Sequence, residues 1–167
     1  NRGISIDIDN LEPTDKRTYQ LLRSGMTTGV FQLESSGMRD LAKRIGLESL
    51  EEICALVALY RPGPMALKDD YIENKHNPER IRYDHPLLEP ILRETYGIAL
   101  YQEQVMQISK DLCGFTGGQA DTLRKGVAKK IPAVLNKMKP AFIDGAVKTS
   151  GADRKQMQEF WKQIEAF

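Results

Sequence analysis

Cysteine and histidine are scarce in this chain. Cys54 and Cys113 are its two cysteines, and no C-x-x-C pattern occurs. Neither a zinc site nor a disulfide framework is indicated, and a reducing cytoplasm fits. Both cysteines fall in apolar, helix-like surroundings. The two histidines, His76 and His85, have no metal-ligand spacing to each other or to a cysteine. They read as helix caps or solvent-facing groups. No apolar run approaches the roughly 18 residues needed to cross a membrane, and the opening does not read as a signal peptide. Walker, G-x-G-x-x-G and nucleophile-elbow patterns are missing, which removes the common phosphate-loop, dinucleotide and serine-hydrolase readings. The sharpest shortage is local: from Thr122 to Ile143 there is no Asp or Glu.

That acid-free window holds Arg124, Lys125, Lys129, Lys130, Lys137 and Lys139. The whole 167-residue chain carries 24 basic and 23 acidic residues, a formal charge of +1, so the total hides the local basicity. Cations without counter-charges repel one another unless an anion visits them. The plain alternative is a solvated helix face. The basic residues sit on one expected helix and continue past its end, which favours an anion partner.

Thr116-x-x-Gln119 fits a capping box at the start of that helix. At about 100° per residue, Ala120, Leu123, Val127 and Ile131 form one apolar stripe, and Arg124 lies roughly 40° from its centre. Lys125 and Lys129 lie one turn apart on the outer face. A guanidinium on the border of a packed stripe suits a two-point grip on phosphate, and a neighbouring lysine adds a mobile charge. The arrangement suits a triphosphate or a nucleic-acid backbone, and the charge pattern does not choose between them.

The rest of the chain reads as helices. Hydrophobic residues make up 41% and charged residues 28%, ordinary for a soluble globular domain. Ile4, Ile6 and Ile8 alternate with polar residues, as in a short strand or extended connector. Thr14 is placed to cap a helix with Tyr19, Leu21 and Leu22, ended by Gly25. Ser35 or Ser36 caps the next, ended by Gly46. Ser49 and Glu52 make a second capping box before an apolar helix that Tyr60–Pro64 must break. Asp69–His76, His85–Leu92 and Gln102–Cys113 read as further helices, with GIALY between the last two strand-like. Pro132 fits a helix first turn, while Pro140 implies a kink or break near Lys139. Met157, Phe160, Trp161 and Ile164 form the apolar face of the last helix. The fold class is mainly α, with one or two short strand-like segments. A chain that starts at Asn1 and stops inside a helical pattern reads as a piece of a longer protein.

Four runs, GVFQLESSGM, ALYRPGPM, ETYGIALYQEQVMQI and GGQADTLRKGVAKK, occur in this order. Together they resemble the α subunit of bacterial DNA polymerase III, the C-family replicative polymerase, over nearly the whole chain. The resemblance implies the helical fingers region. Residues 1–13 would be the connector from the palm and residues 14–167 a fingers domain incomplete at its C-terminus. It implies partners as well: primer-template DNA, deoxynucleoside triphosphates and other replicase subunits, with no membrane. The family's fingers hold the nucleotide triphosphate with a basic pair, commonly L-R-R. Leu123-Arg124-Lys125 matches it, with lysine in place of the second arginine. Lys129 and Lys130 match the family's basic tail, a contact to phosphate or DNA. Arg61, in the rigid turn, would face DNA or bond loop carbonyls. The family's Mg²⁺ belongs to palm aspartates, whose sequence contexts are missing here. Asp7-x-Asp9 lacks the flanking residues of the family's pair and reads as part of the connector, so this chain alone is expected to be inactive. On the residues alone, a standalone helical nucleic-acid-binding module and a helical domain docking an acidic protein stay open.

Overall fold

The computed structural model describes residues 3, 5–7, 9–11 and 13–166. Ile4 and Ile8 lie outside them, and the described residues around Ile6 are exposed and form no strand. Among the described residues the regular structure is entirely helical. The chain divides into two compact units, Asn1–Val57 and Ala58–Phe167.

In the first unit, helix α1 (Lys16–Ser24) packs on α2 (Ser36–Ile45). Tyr19, Leu22, Met38, Leu41, Ala42 and Ile45 are buried. Asp15, rather than Thr14, caps α1, accepting from the Arg17 and Thr18 N–H groups at 3.2 Å each. It immediately precedes the first helical residue, from where a short carboxylate reaches the N–H groups two and three positions on. Ser35 caps α2, accepting from the Met38 N–H at 3.3 Å. Gly25 and Gly46 end the two helices in the left-handed region, at φ 70° and 69°. Helix α3 (Leu50–Leu59) starts from Ser49, whose hydroxyl accepts from the Glu52 N–H at 3.3 Å. The Glu52 carboxylate accepts from the Glu48 N–H at 2.7 Å.

The second unit takes up the chain just before the proline-rich turn. After that turn come a 3₁₀ turn at Pro64–Leu67 and α4 (Lys68–His76). Helix α5 (Glu89–Leu92) is one turn long, between 3₁₀ turns at Pro86–Leu88 and Arg93–Thr95. His85 acts as the cap: its Nδ1 accepts from the Leu87 N–H at 3.2 Å. The expected strand at GIALY is instead buried irregular backbone. Gln104 takes the place of a neighbouring strand. Its Oε1 accepts from the Leu100 and Tyr101 N–H groups at 2.8 and 2.9 Å. Its Nε2 donates to the Ile91 carbonyl at 3.1 Å and to Thr95 Oγ1 at 2.8 Å. Buried backbone polar groups need partners, and a side-chain amide supplies both kinds.

Four helices then pack in succession: α6 (Gln102–Asp111) on α7 (Gly117–Ala128), α7 on α8 (Pro132–Ser150), and α8 on α9 (Arg154–Ala166). Their shared core contains Ile108, Leu123, Phe142, Trp161 and Ile164, all fully buried. Phe142 meets Phe115 edge-on at 6.3 Å and Trp161 at 5.3 Å between ring centroids, separations at which aromatic pairs attract. Of the kink or break expected near Lys139, the break does not occur: helix α8 runs on through Pro140. Pro140 and Asn136 are both exposed. The carbonyl that proline leaves without an intrahelical donor therefore lies where water can reach it, and the buried face of the helix is intact.

Candidate functional site

Helix α7 begins as its sequence requires. Thr116 Oγ1 accepts from the Gln119 N–H at 3.3 Å, and Gln119 Oε1 accepts from the Thr116 N–H at 2.9 Å. The reciprocal pair fixes the helix start. Ala120, Leu123 and Val127 are buried as the stripe demands. The helix stops at Ala128, so Ile131 falls in the following turn and is half-buried there. Gly126 lies on the face toward α8: a Cβ there would stand 2.5 Å from Val134 Cγ1. The lack of a side chain lets α8 approach α7 closely.

Arg124 sits on the border of this stripe, with 29% of its side chain exposed. Its guanidinium is already engaged. Nε and Nη2 donate to Asp121 Oδ1 at 3.0 and 2.8 Å, and Nη1 donates to Gln102 Oε1 at 3.0 Å. Lys125 Nζ pairs with Asp121 Oδ2 at 2.7 Å. One carboxylate thus holds both cations, each oxygen serving one of them. Its carboxyl is held below the usual range, first by the Lys125 hydrogen bond and next by Arg124.

Asp121 corrects the picture of an uncompensated basic run. The acid-free window starts one residue after it and ends one residue before Asp144, which pairs with Arg154 at 2.7 Å. Within the window the cations differ. Lys129 is exposed at the C-terminal cap of α7. Lys130 turns away in the left-handed region at φ 49°, and its Nζ donates to the Glu165 carbonyl at 2.7 Å. Lys137 lines an open cleft of about 440 Å³ with Thr116, Gly118, Gln119 and Thr122. The structure therefore brings Arg124 and Lys125 together and directs Lys130 elsewhere. Arg61 lies in the exposed turn after α3, and no bond from its guanidinium to a loop carbonyl occurs among the described residues. Sequence reasoning missed Asp121 and Gln102. Asp121 was within reach of it, because positions three and four residues apart on a helix are neighbours. Gln102 is 22 residues from Arg124 in the chain, and nothing local announces the contact.

Among the described residues no group of three or more His, Cys, Asp or Glu side chains could hold a metal ion. Asp7 instead stabilises a turn, accepting from the Asp9 N–H at 3.1 Å and from Asn10 Nδ2 at 2.7 Å. No helix among the described residues is long and apolar enough to cross a membrane.

A helical domain with an arginine and a lysine held by one carboxylate on a capped helix is the class this geometry defines. Residues 1–150 match the model of the bacterial DNA polymerase III alpha subunit finger domain. The chain belongs to that family. It is 48% identical over 167 residues to the DNA polymerase III subunit alpha of Aquifex aeolicus, covering 99% of this chain and 14% of the relative. The corresponding protein of Staphylococcus epidermidis (strain ATCC 35984) is 46% identical over 165 residues, covering 99% of this chain and 15% of the relative. That of Staphylococcus aureus (strain Mu50) is 47% identical over 144 residues, covering 86% and 14%. The chain spans about one-seventh of the length of these relatives.

Proposed function

We propose that this domain grips the triphosphate of an incoming deoxynucleotide through Arg124 and Lys125 within a DNA-directed DNA polymerase. One observation carries the reading: the two side chains already clasp a two-oxygen anion, the carboxylate of Asp121. A phosphate presents oxygens of the same charge to the same donors, and an arginine fork matches it at two points. Gln102 orients the guanidinium from a second helix, so the fork is aimed before any ligand arrives.

In nucleotidyl transfer the primer 3′-oxygen gives up its proton to a base or to water and bonds to the α-phosphorus, while the bond from the α-phosphorus to the α,β-bridging oxygen breaks and pyrophosphate leaves. Arg124 and Lys125 would neutralise the triphosphate and hold it in line for this displacement. Preorganised cations stabilise charge on the leaving group without rearranging as it develops. Among the described residues no carboxylate cluster fits a magnesium site, and we place that metal, with the catalytic carboxylates, in the palm of the longer protein. By itself the chain would then extend no primer. We assign primer-template contact to Lys129 and Arg61, both exposed, with Lys130 a weaker candidate because its amine serves Glu165. Replicase subunits would associate through the longer protein, in the bacterial cytoplasm.

Inorganic tripolyphosphate tests the grip apart from base pairing. In the full-length subunit, at fixed free magnesium, it should compete with nucleotide, and Arg124→Ala should raise its inhibition constant about tenfold or more. An unchanged inhibition constant would rule the assignment out.

A further inference from the structure

We propose that Asp121 is an internal competitor of the nucleotide, a carboxylate latch on Arg124 and Lys125 that an incoming triphosphate must displace. The proposal rests on the triphosphate reading of that cation pair.

Arginine has five N–H donors. In this structure Asp121 Oδ1 takes two of them and Gln102 takes a third, while Asp121 Oδ2 takes the Lys125 ammonium. The Nε–Nη2 edge of the guanidinium and the Lys125 ammonium are therefore occupied by an anion that belongs to the chain. Asp121 precedes its two cations by three and four residues on one helix face, the favourable order for such pairs. The contact is not locked into the core: the side chains of Arg124, Asp121 and Lys125 are 29%, 35% and 58% exposed. Asp121 can swing away by side-chain rotation, with the helix backbone in place.

Two jobs follow from this geometry. While the site is empty, the carboxylate holds together adjacent cations that would otherwise repel each other, and keeps the guanidinium oriented. When a triphosphate arrives, the two anions contend for the same donors, and the carboxylate is also a like charge beside the phosphates. Gln102 is neutral and bonds a different nitrogen, Nη1. It can keep its bond after Asp121 has gone, so aim survives release. The latch thus weakens binding of every phosphate at this site. A nucleotide held also by base pairing to the template displaces it more readily than one held by its phosphates alone.

The sign of the effect separates a competitor from a structural support. In the full-length subunit on primer-template, Asp121→Asn should tighten both the tripolyphosphate inhibition constant and the first-turnover nucleotide Kd, by about two- to fivefold. A structural support would give weakening instead. Asp121→Glu keeps the charge and should fall between wild type and Asp121→Asn. Unchanged or weakened binding in Asp121→Asn overturns the latch. Arg124→Ala, measured in parallel, isolates the underlying reading. If it weakens tripolyphosphate while Asp121→Asn fails to tighten it, the grip stands and the latch falls. If Arg124→Ala changes nothing, the triphosphate reading falls, and the latch with it.

Discussion

Asp121 Oδ1 accepts two hydrogen bonds from Arg124, from Nε at 3.0 Å and from Nη2 at 2.8 Å. This contact turns a guanidinium at the edge of a helix into an aimed, two-point donor. It also places an acid at the mouth of what the sequence presents as a purely basic run.

The Asp121 carboxyl should titrate below a free aspartate. Its folded pKa is depressed, so the pairing adds stability above the unfolded value and loses it as pH falls through the folded value. With no phosphate bound, the clasp is therefore held at neutral pH and weakens as acid protonates the carboxylate. Carboxyl-carbon NMR across an acid titration checks this. Lys125→Ala should raise the midpoint more than Arg124→Ala does, because the lysine bond is the larger cause. A midpoint at or above the ordinary aspartate range would show that the clasp does not persist in solution.

The two cysteines should differ sharply toward thiol reagents. Cys54 is exposed, while Cys113 is buried, with its thiol pushed up to about 12 by burial. Only the thiolate reacts, and at pH 8 such a thiol is ionised in about one molecule in ten thousand. One equivalent should label quickly and the second only after denaturant is added. Rapid labelling of both would mean that the packing around Cys113 opens easily.

Alanine substitutions should act very differently at two glycines. A Cβ on Gly145 would stand 2.5 Å from the Cys113 carbonyl oxygen, a backbone atom with no rotamer to retreat into. Gly145→Ala should destabilise by about 1–3 kcal/mol in urea unfolding. A Cβ on Gly118 meets nothing within 4 Å. Gly118→Ala should be neutral or stabilising by up to about 1 kcal/mol, since alanine favours a helix. Equal effects would mean that α8 does not approach Cys113 as described.

Local rules carried most of the helical architecture, and long-range contacts account for what they missed. The Thr116–Gln119 box, the glycine ends of α1 and α2, and the stripes of α7 and α9 all follow from neighbours within one or two turns. The segment at GIALY misled because a short apolar run has no decisive period. Its backbone partners come from Gln104 rather than from another strand. Pro140 does not end its helix because the cost of a missing N–H depends on which side of the helix faces water, which the local pattern left open. At the candidate site, the position of Arg124 was legible from its angle to the stripe. Its engagement by Gln102 was not, since that residue comes from another helix.

Arg124→Ala in the full-length subunit tests the central claim most directly. Loss of a charge-assisted contact of about 1.5–3 kcal/mol should lower nucleotide kcat/KM by about 10- to 150-fold. Primer-template affinity measured without nucleotide should stay within about twofold, because in this account Arg124 contacts the nucleotide and not the DNA. Arg124→Lys should recover only part of the loss, since an ammonium restores charge without the fork. If Arg124→Ala weakens primer-template binding and leaves the nucleotide parameters intact, Arg124 is a DNA-backbone contact and the triphosphate assignment is wrong.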